Sequence, residues 1–179
     1  MNNVREWYLN GTVVPSKQNT VVLDAYEVSD ALKDKLNAIL ADEFLAYVNY
    51  KMCEVSMKGN KQSLLERLAQ QHGLDELDDH YQNLVDWMQS KGLKVVTSIK
   101  DMEKITNCTV FEIEDGMHTS EIVDILIKSE EEAIAAYEKV LDDEAVKYDL
   151  REMLARFLSD ERKHLKSLND AKAEMKKCA

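Results

Sequence analysis

The chain has 179 residues, 45% of them hydrophobic and 32% charged, and its 23 Lys+Arg against 34 Asp+Glu leave a net charge of −11. That length suits one domain with a real core, and the acidic balance, with no Lys/Arg cluster, excludes a nucleic-acid-binding surface while favouring attraction of cations. There is no signal peptide and no apolar run long enough to span a membrane, and the three cysteines (Cys53, Cys108, Cys178) include no C-x-x-C spacing, so the expected setting is cytoplasmic with reduced thiols.

Five Gly and one Pro are few for this length, so long helices are expected rather than a sheet. Residues 1–28 lack helical periodicity and hold Pro15. Asn10-Gly11 between β-favouring residues there is a hairpin signal, and the stretch reads as an N-terminal extension to a domain over 29–179. The first helix begins at Ser29 or Asp30, either of which can cap it, and runs to about Met57. Leu32, Leu36, Leu40, Tyr47 and Tyr50 mark its buried stripe, with Glu43 in the middle. A second helix spans about Gln62 to Ser90, its stripe of Leu65, Leu68, Leu84, Trp87 and Met88 interrupted by His72, Glu76 and His80. Residues 92–118 form a long connection in which Leu93–Val96 and Thr109–Ile113 read as short extended pieces. A third helix from Thr119 or Ser120 to near Asp142 carries Val123, Leu126, Ile134, Tyr137 and Leu141, with Glu130 among them. The fourth runs from Asp143 or Glu144 to near Lys176.

In the fourth helix Glu161 and His164 are three apart and share one face, which is otherwise Leu150, Leu154, Phe157, Leu158, Leu165 and Leu168. A carboxylate and an imidazole in an apolar stripe are costly to desolvate unless something binds them. One such pair is weak evidence; the same anomaly on four helices is not. Together the inward groups are Glu43, Glu76 with His80, Glu130, and Glu161 with His164. One Glu from each of two helices and a Glu–His pair from each of the other two is the donor set of a di-iron or di-manganese carboxylate bundle. Four carboxylates neutralise two divalent ions, and mixed oxygen and imidazole donors suit iron or manganese better than the thiolates of structural zinc. Among Glu130, Glu131 and Glu132, the spacing to Ile134 and Tyr137 favours Glu130. His72 reads as a surface residue or one that supports the ligands from outside. Tyr50 and Tyr137 read as core aromatics whose hydroxyls bond neighbouring carboxylates.

At these residues the sequence resembles the ferritin-like superfamily, most of all bacterioferritin and the Dps-like ferritins. Leu36-Asn37-Ala38-Ile39-Leu40-Ala41-Asp42-Glu43-Phe44-Leu45-Ala46, with Tyr50 seven residues after Glu43, is similar to the first-helix bacterioferritin signature. Lys128-Ser129-Glu130-Glu131-Glu132-Ala133-Ile134-Ala135-Ala136-Tyr137 is similar to the third-helix pattern, and Asp160-Glu161-Arg162-Lys163-His164-Leu165 to the fourth-helix Glu-x-x-His. The resemblance implies an all-α four-helix bundle with one long crossover between helices two and three. It also implies a ferroxidase centre with two Fe ions per subunit (Mn or Zn as substitutes) that uses H2O2 or O2. The ligands would be Glu43, Glu76, His80, Glu130, Glu161 and His164.

The second helix departs from the pattern. Glu76-Leu77-Asp78-Asp79-His80 is one residue longer than Glu-x-x-His, so either a π-bulge turns both Glu76 and His80 inward or Asp79 replaces the histidine. The haem-ligating methionine of bacterioferritin falls near Leu77 or Asp78, so no haem is expected. Residues 165–179 finish the fourth helix without adding the fifth helix of 24-subunit ferritins, and the resemblance therefore implies a Dps-like dodecamer, or a smaller assembly, rather than a 24-mer.

Overall fold

Four long helices and one short one make up the computed structural model, which describes residues 27–57, 62–114 and 117–177. The hairpin expected at Trp7–Val14 lies outside the described residues. Helix α1 spans Asp30–Ser56, and the Ser29 side chain accepts from the Leu32 N–H at 3.2 Å, satisfying one of the free donors at the helix start. Helix α2 covers residues 62–90 in three continuous stretches: Gln62–Leu74, a π-helical segment Asp75–Tyr81, and Gln82–Ser90. It stops at Gly92, whose φ of 69° is a left-handed conformation that favours glycine.

Helices α4 (Thr119–Leu141) and α5 (Tyr148–Lys177) complete the bundle. Helix α5 begins later than its periodicity suggests, because residues 142–147 form a tight corner. There Asp143 pairs with Lys35 at 2.5 Å and accepts from the Ala145 N–H, while Val146 is buried.

The crossover holds the second departure from expectation. It contains a short helix, α3 (Ile99–Ile105), and among the described residues no strand. Side chains of the bundle satisfy the backbone groups that an extended ladder would pair. Buried Asp42 accepts from Thr106 Oγ1, the Asn107 and Cys108 N–H groups and Asn107 Nδ2 at 2.6–3.0 Å. Glu132 accepts from the Thr109 N–H and Oγ1, both at 2.9 Å, and Asn49 donates to the Thr109 carbonyl at 2.9 Å.

The apolar core falls into two halves. One joins Leu32–Leu40 of α1, Leu84–Met88 of α2, Ala136–Val140 of α4 and Leu150–Phe157 of α5. The start of α1 therefore meets the end of α2, and α2 and α4 run parallel, the geometry a single long crossover imposes. The other joins Tyr50, Cys53, Leu65, Ile122, Leu126 and Leu168. Between the two halves lies a polar layer.

Candidate metal centre

Each helix sends its acidic or imidazole groups into that layer. Glu43, Glu76, His80, Glu130, Glu161 and His164 are all at most 5% exposed. Their neighbours Glu131 and Glu132 are exposed and half-buried, so the register favoured from Ile134 and Tyr137 is the one that forms. In α2 the π-segment reconciles the long spacing. A wider turn absorbs the extra residue, so Glu76 and His80 both face inward while Asp79 turns outward to Arg156 at 2.5 and 2.9 Å.

The donor atoms divide into two groups, each with its atoms within 4.8 Å of one another: Glu43, Glu76, His80 and Glu161; and Glu76, Glu130, Glu161 and His164. Glu76 and Glu161 belong to both. His80 Nδ1 stands 3.2 Å from Glu43, 3.4 Å from Glu76 and 3.0 Å from Glu161. His164 Nδ1 stands 3.3 Å from Glu76, 3.6 Å from Glu161 and 3.7 Å from Glu130. Distance is not satisfaction, however. Both Glu161 oxygens, Glu130 Oε2 and His164 Nδ1 are buried and make no hydrogen bond, since the close contacts lack hydrogen-bond geometry. A buried group left unpaired costs about 1–3 kcal/mol, and more when charged. Orphaned carboxylate and imidazole atoms converging on two points fit two divalent cations, and the oxygen and nitrogen set without thiolate fits iron or manganese.

Electrostatics points the same way. Burial, and then the charge of Glu76, hold Glu43 well above the usual carboxylate range; burial and Glu161 do the same to Glu130. For Glu76 burial acts upward but is outweighed by the His164 and His80 imidazoles 3.3 and 3.4 Å away, which hold it well below that range. Burial disfavours the charged His164, yet Glu161 and Glu76 raise it to about 10, and Glu43 and Glu161 raise His80 still further. Without metal, protons serve as the counter-charge of the layer, and cations would displace them.

Around the six, Tyr137 donates to Glu43 Oε1 at 2.5 Å and Tyr50 donates to Glu130 Oε1. His72 is not on the surface but 4% exposed, between Tyr50 (3.1 Å) and Ser167 (3.0 Å), and its ring stacks on His164 with centroids 4.1 Å apart. Its place four residues before Glu76 was the available signal, because i and i+4 share a face. Asp75 was not anticipated; it bonds the outer nitrogen of His164, Nε2, at 3.2 Å, which leaves Nδ1 to face the layer.

A model of the ferritin-like domain matches residues 33–178. The chain belongs to the ferritin-like family. Among solved structures it is similar to a dodecameric thioferritin, the bacterioferritin-related protein of Bacteroides fragilis, with TM-score 0.77 and 21% identity over 83% of this chain and 88% of that one. It is also similar to Dps from Thermosynechococcus elongatus, with TM-score 0.73 and 17% identity over 78% of this chain and 88% of that one. A ferritin-like, diiron-carboxylate protein of Bacillus anthracis str. Ames gives TM-score 0.66 and 23% identity over 80% and 99%. At these identities the likeness is one of fold. No curated protein matches the chain. No helix among the described residues is long and apolar enough to cross a membrane.

Proposed function

We propose that this ferritin-like chain takes up Fe(II), oxidises it at a centre inside each subunit, and keeps the ferric product within a hollow cytoplasmic homo-oligomer, a Dps-like dodecamer. The observation that carries the reading is the pair of donor groups sharing Glu76 and Glu161. In this reading Glu76 and Glu161 bridge two ions, His80 and His164 supply one nitrogen to each, and Glu43 and Glu130 hold the outer sides. Fe(II) is the substrate: two ions give up one electron each, and with two protons reduce H2O2 to two waters, or pass the electrons to O2. The protein's part is to fix carboxylates able to follow the rise in charge and to exclude bulk water. Tyr137 and Tyr50 hold Glu43 and Glu130 by their second lobes, leaving the opposite oxygens to the ions. Support for assembly comes from the Bacteroides fragilis relative, a dodecamer. Mn(II) or Zn(II) would occupy the same donors without turnover.

The test is stopped-flow absorbance of the ferric product after adding two Fe(II) per chain, with peroxide and with air, beside light scattering of the eluted protein. Rapid oxidation by an assembly of about twelve chains is expected. Oxidation no faster than buffer by folded protein overturns the reading, and rapid oxidation by a dimer replaces storage with a peroxidase on the same bundle.

A further inference from the structure

His80 is fully buried, yet its two ring nitrogens differ. Nδ1 faces the carboxylates of the inner layer, whereas Nε2 makes no hydrogen bond at all. That nitrogen faces Asp160, whose Oδ2 lies 3.9 Å away, and Asp79 contributes an oxygen to the same group of donors, all within 4.8 Å of one another. The three residues line a cavity of about 360 Å³ between α2 and α5, together with Asp75, His164 and Ser167. Asp79 and Asp160 are half-buried, so the cavity reaches the surface. The corresponding pair on the other side of the layer is closed, because Asp75 meets His164 Nε2 at 3.2 Å. His80 lies in the π-segment of α2 and is the one of the two imidazoles whose outer nitrogen stands beyond hydrogen-bond reach of its neighbouring aspartate.

We propose that His80 Nε2, Asp160 and Asp79 form a separate outer site for a divalent cation of the Fe(II) or Mn(II) class, which captures the ion at the mouth before the inner centre takes it. One imidazole nitrogen and two carboxylates are suitable donors for such an ion, with water from the cavity completing the shell. The groups that now engage the carboxylates are weakly held. Arg156–Asp79 has side chains 47% and 39% exposed, and Lys163–Asp160 71% and 23%. Exposed pairs of this kind contribute about 0–1 kcal/mol, so a divalent cation displaces Arg156 and Lys163. An ion at Nε2 takes the place of that nitrogen's proton, and a neutral imidazole offers one lone pair, so His80 serves the mouth or the inner centre in turn and not both at once. Passage of the ion inward rests on the proposed function; capture at the mouth does not.

The experiment uses the full chain and its Asp160→Asn variant, each crystallised over a range of Mn(II) from below one ion per chain to excess, with anomalous difference maps. In parallel, the electron paramagnetic signal of free Mn(II) follows binding in solution. Density between His80 and residue 160 at low Mn(II) in the native chain, absent from the variant, is expected, with the first ion bound about tenfold or more weaker in the variant. Equal inner density in both proteins at excess Mn(II) keeps the inner reading separate from this one. Density at the mouth with none among the six inner residues upholds the outer site and overturns the proposed centre. No density at the mouth at any loading, or equal affinity for the first ion in both proteins, overturns the outer site.

Discussion

Glu161 concentrates the conflict that the layer sets up in a single side chain. Both of its oxygens are buried without a hydrogen bond, and it belongs to both donor groups. Replacing it by Ala leaves a cavity and takes a partner from His80 and His164, but it also removes two buried oxygens that make no hydrogen bond, so the losses and the gain oppose each other. The metal-free Glu161→Ala protein is therefore expected to melt close to the native temperature. The native chain should gain about 2.7 kcal/mol from free Mn(II) at a hundred times its dissociation constant, and the variant should lose most of that gain. Thermal melts with and without Mn(II) check both halves. A variant that melts well below the native protein without metal and still gains fully with it would remove Glu161 from the centre. Tyr137 makes a gentler case: Tyr137→Phe strips the 2.5 Å bond to buried Glu43. It should cost about 1–3 kcal/mol without metal, measured by urea unfolding.

At the scale of elements, the close contact between α1 and α2 is set by a glycine. A Cβ at Gly73 would stand 3.0 Å from Tyr50 Cβ, and Tyr50 is itself tied to Glu130 and His72. Ala is about 1 kcal/mol better than Gly in a helix by propensity, but here it must push α2 off α1. Gly73→Ala is expected to destabilise by about 1–3 kcal/mol, and a gain in stability on denaturant unfolding would show that the helices have slack. The clamp on the crossover makes the same point: Asp42→Ala removes four hydrogen bonds and should cost about 3 kcal/mol. Neither device was legible in the sequence. Nothing local in the sequence marks Gly73 as a point of close approach or Asp42 as a clamp, since the partners of both lie far along the chain. The helices themselves were legible, because Leu32–Leu40 and Leu150–Leu168 carry a helical period and Ser29 a cap. So were the six inward residues, as polar interruptions of apolar stripes. The extended pieces at 93–96 and 109–113 misled, because apolar residues in a short run fit a strand or a strap equally well. In this chain Asn37 occupies backbone groups of Lys94 and Val96, and Asn49 and Glu132 occupy those of Thr109 and Phe111.

Across the whole molecule, the polar layer makes the stability of the metal-free protein fall as pH rises above neutrality. His164 is raised to about 10 in the fold from an ordinary 6.5. Its contribution is therefore complete below pH 6.5 and is lost as pH rises through 10. Glu43 and Glu130, held above their ordinary 4.5, act with the same sign, because each carboxyl must give up its proton in a buried site as pH rises. His72, pushed down to about 3 by burial and by His164, acts oppositely and only on the acid side: its contribution is present above pH 6.5 and fades as pH falls toward 3. Between pH 6.5 and 10 the metal-free protein should thus melt at progressively lower temperature. In the proposed reading cations take the place of the protons of the layer, so the stabilisation by Mn(II) should grow over the same interval. The net charge of −11 adds a general repulsion that any acidic chain shares, and His164→Gln separates the two, since it removes the imidazole while leaving the surface intact. Scanning calorimetry of native and His164→Gln protein, with and without Mn(II), is the measurement. A native melting temperature that stays flat or rises from pH 6.5 to 10 without metal would mean that the layer does not rely on its protons. Equal slopes in the two proteins would mean that His164 does not carry the fall.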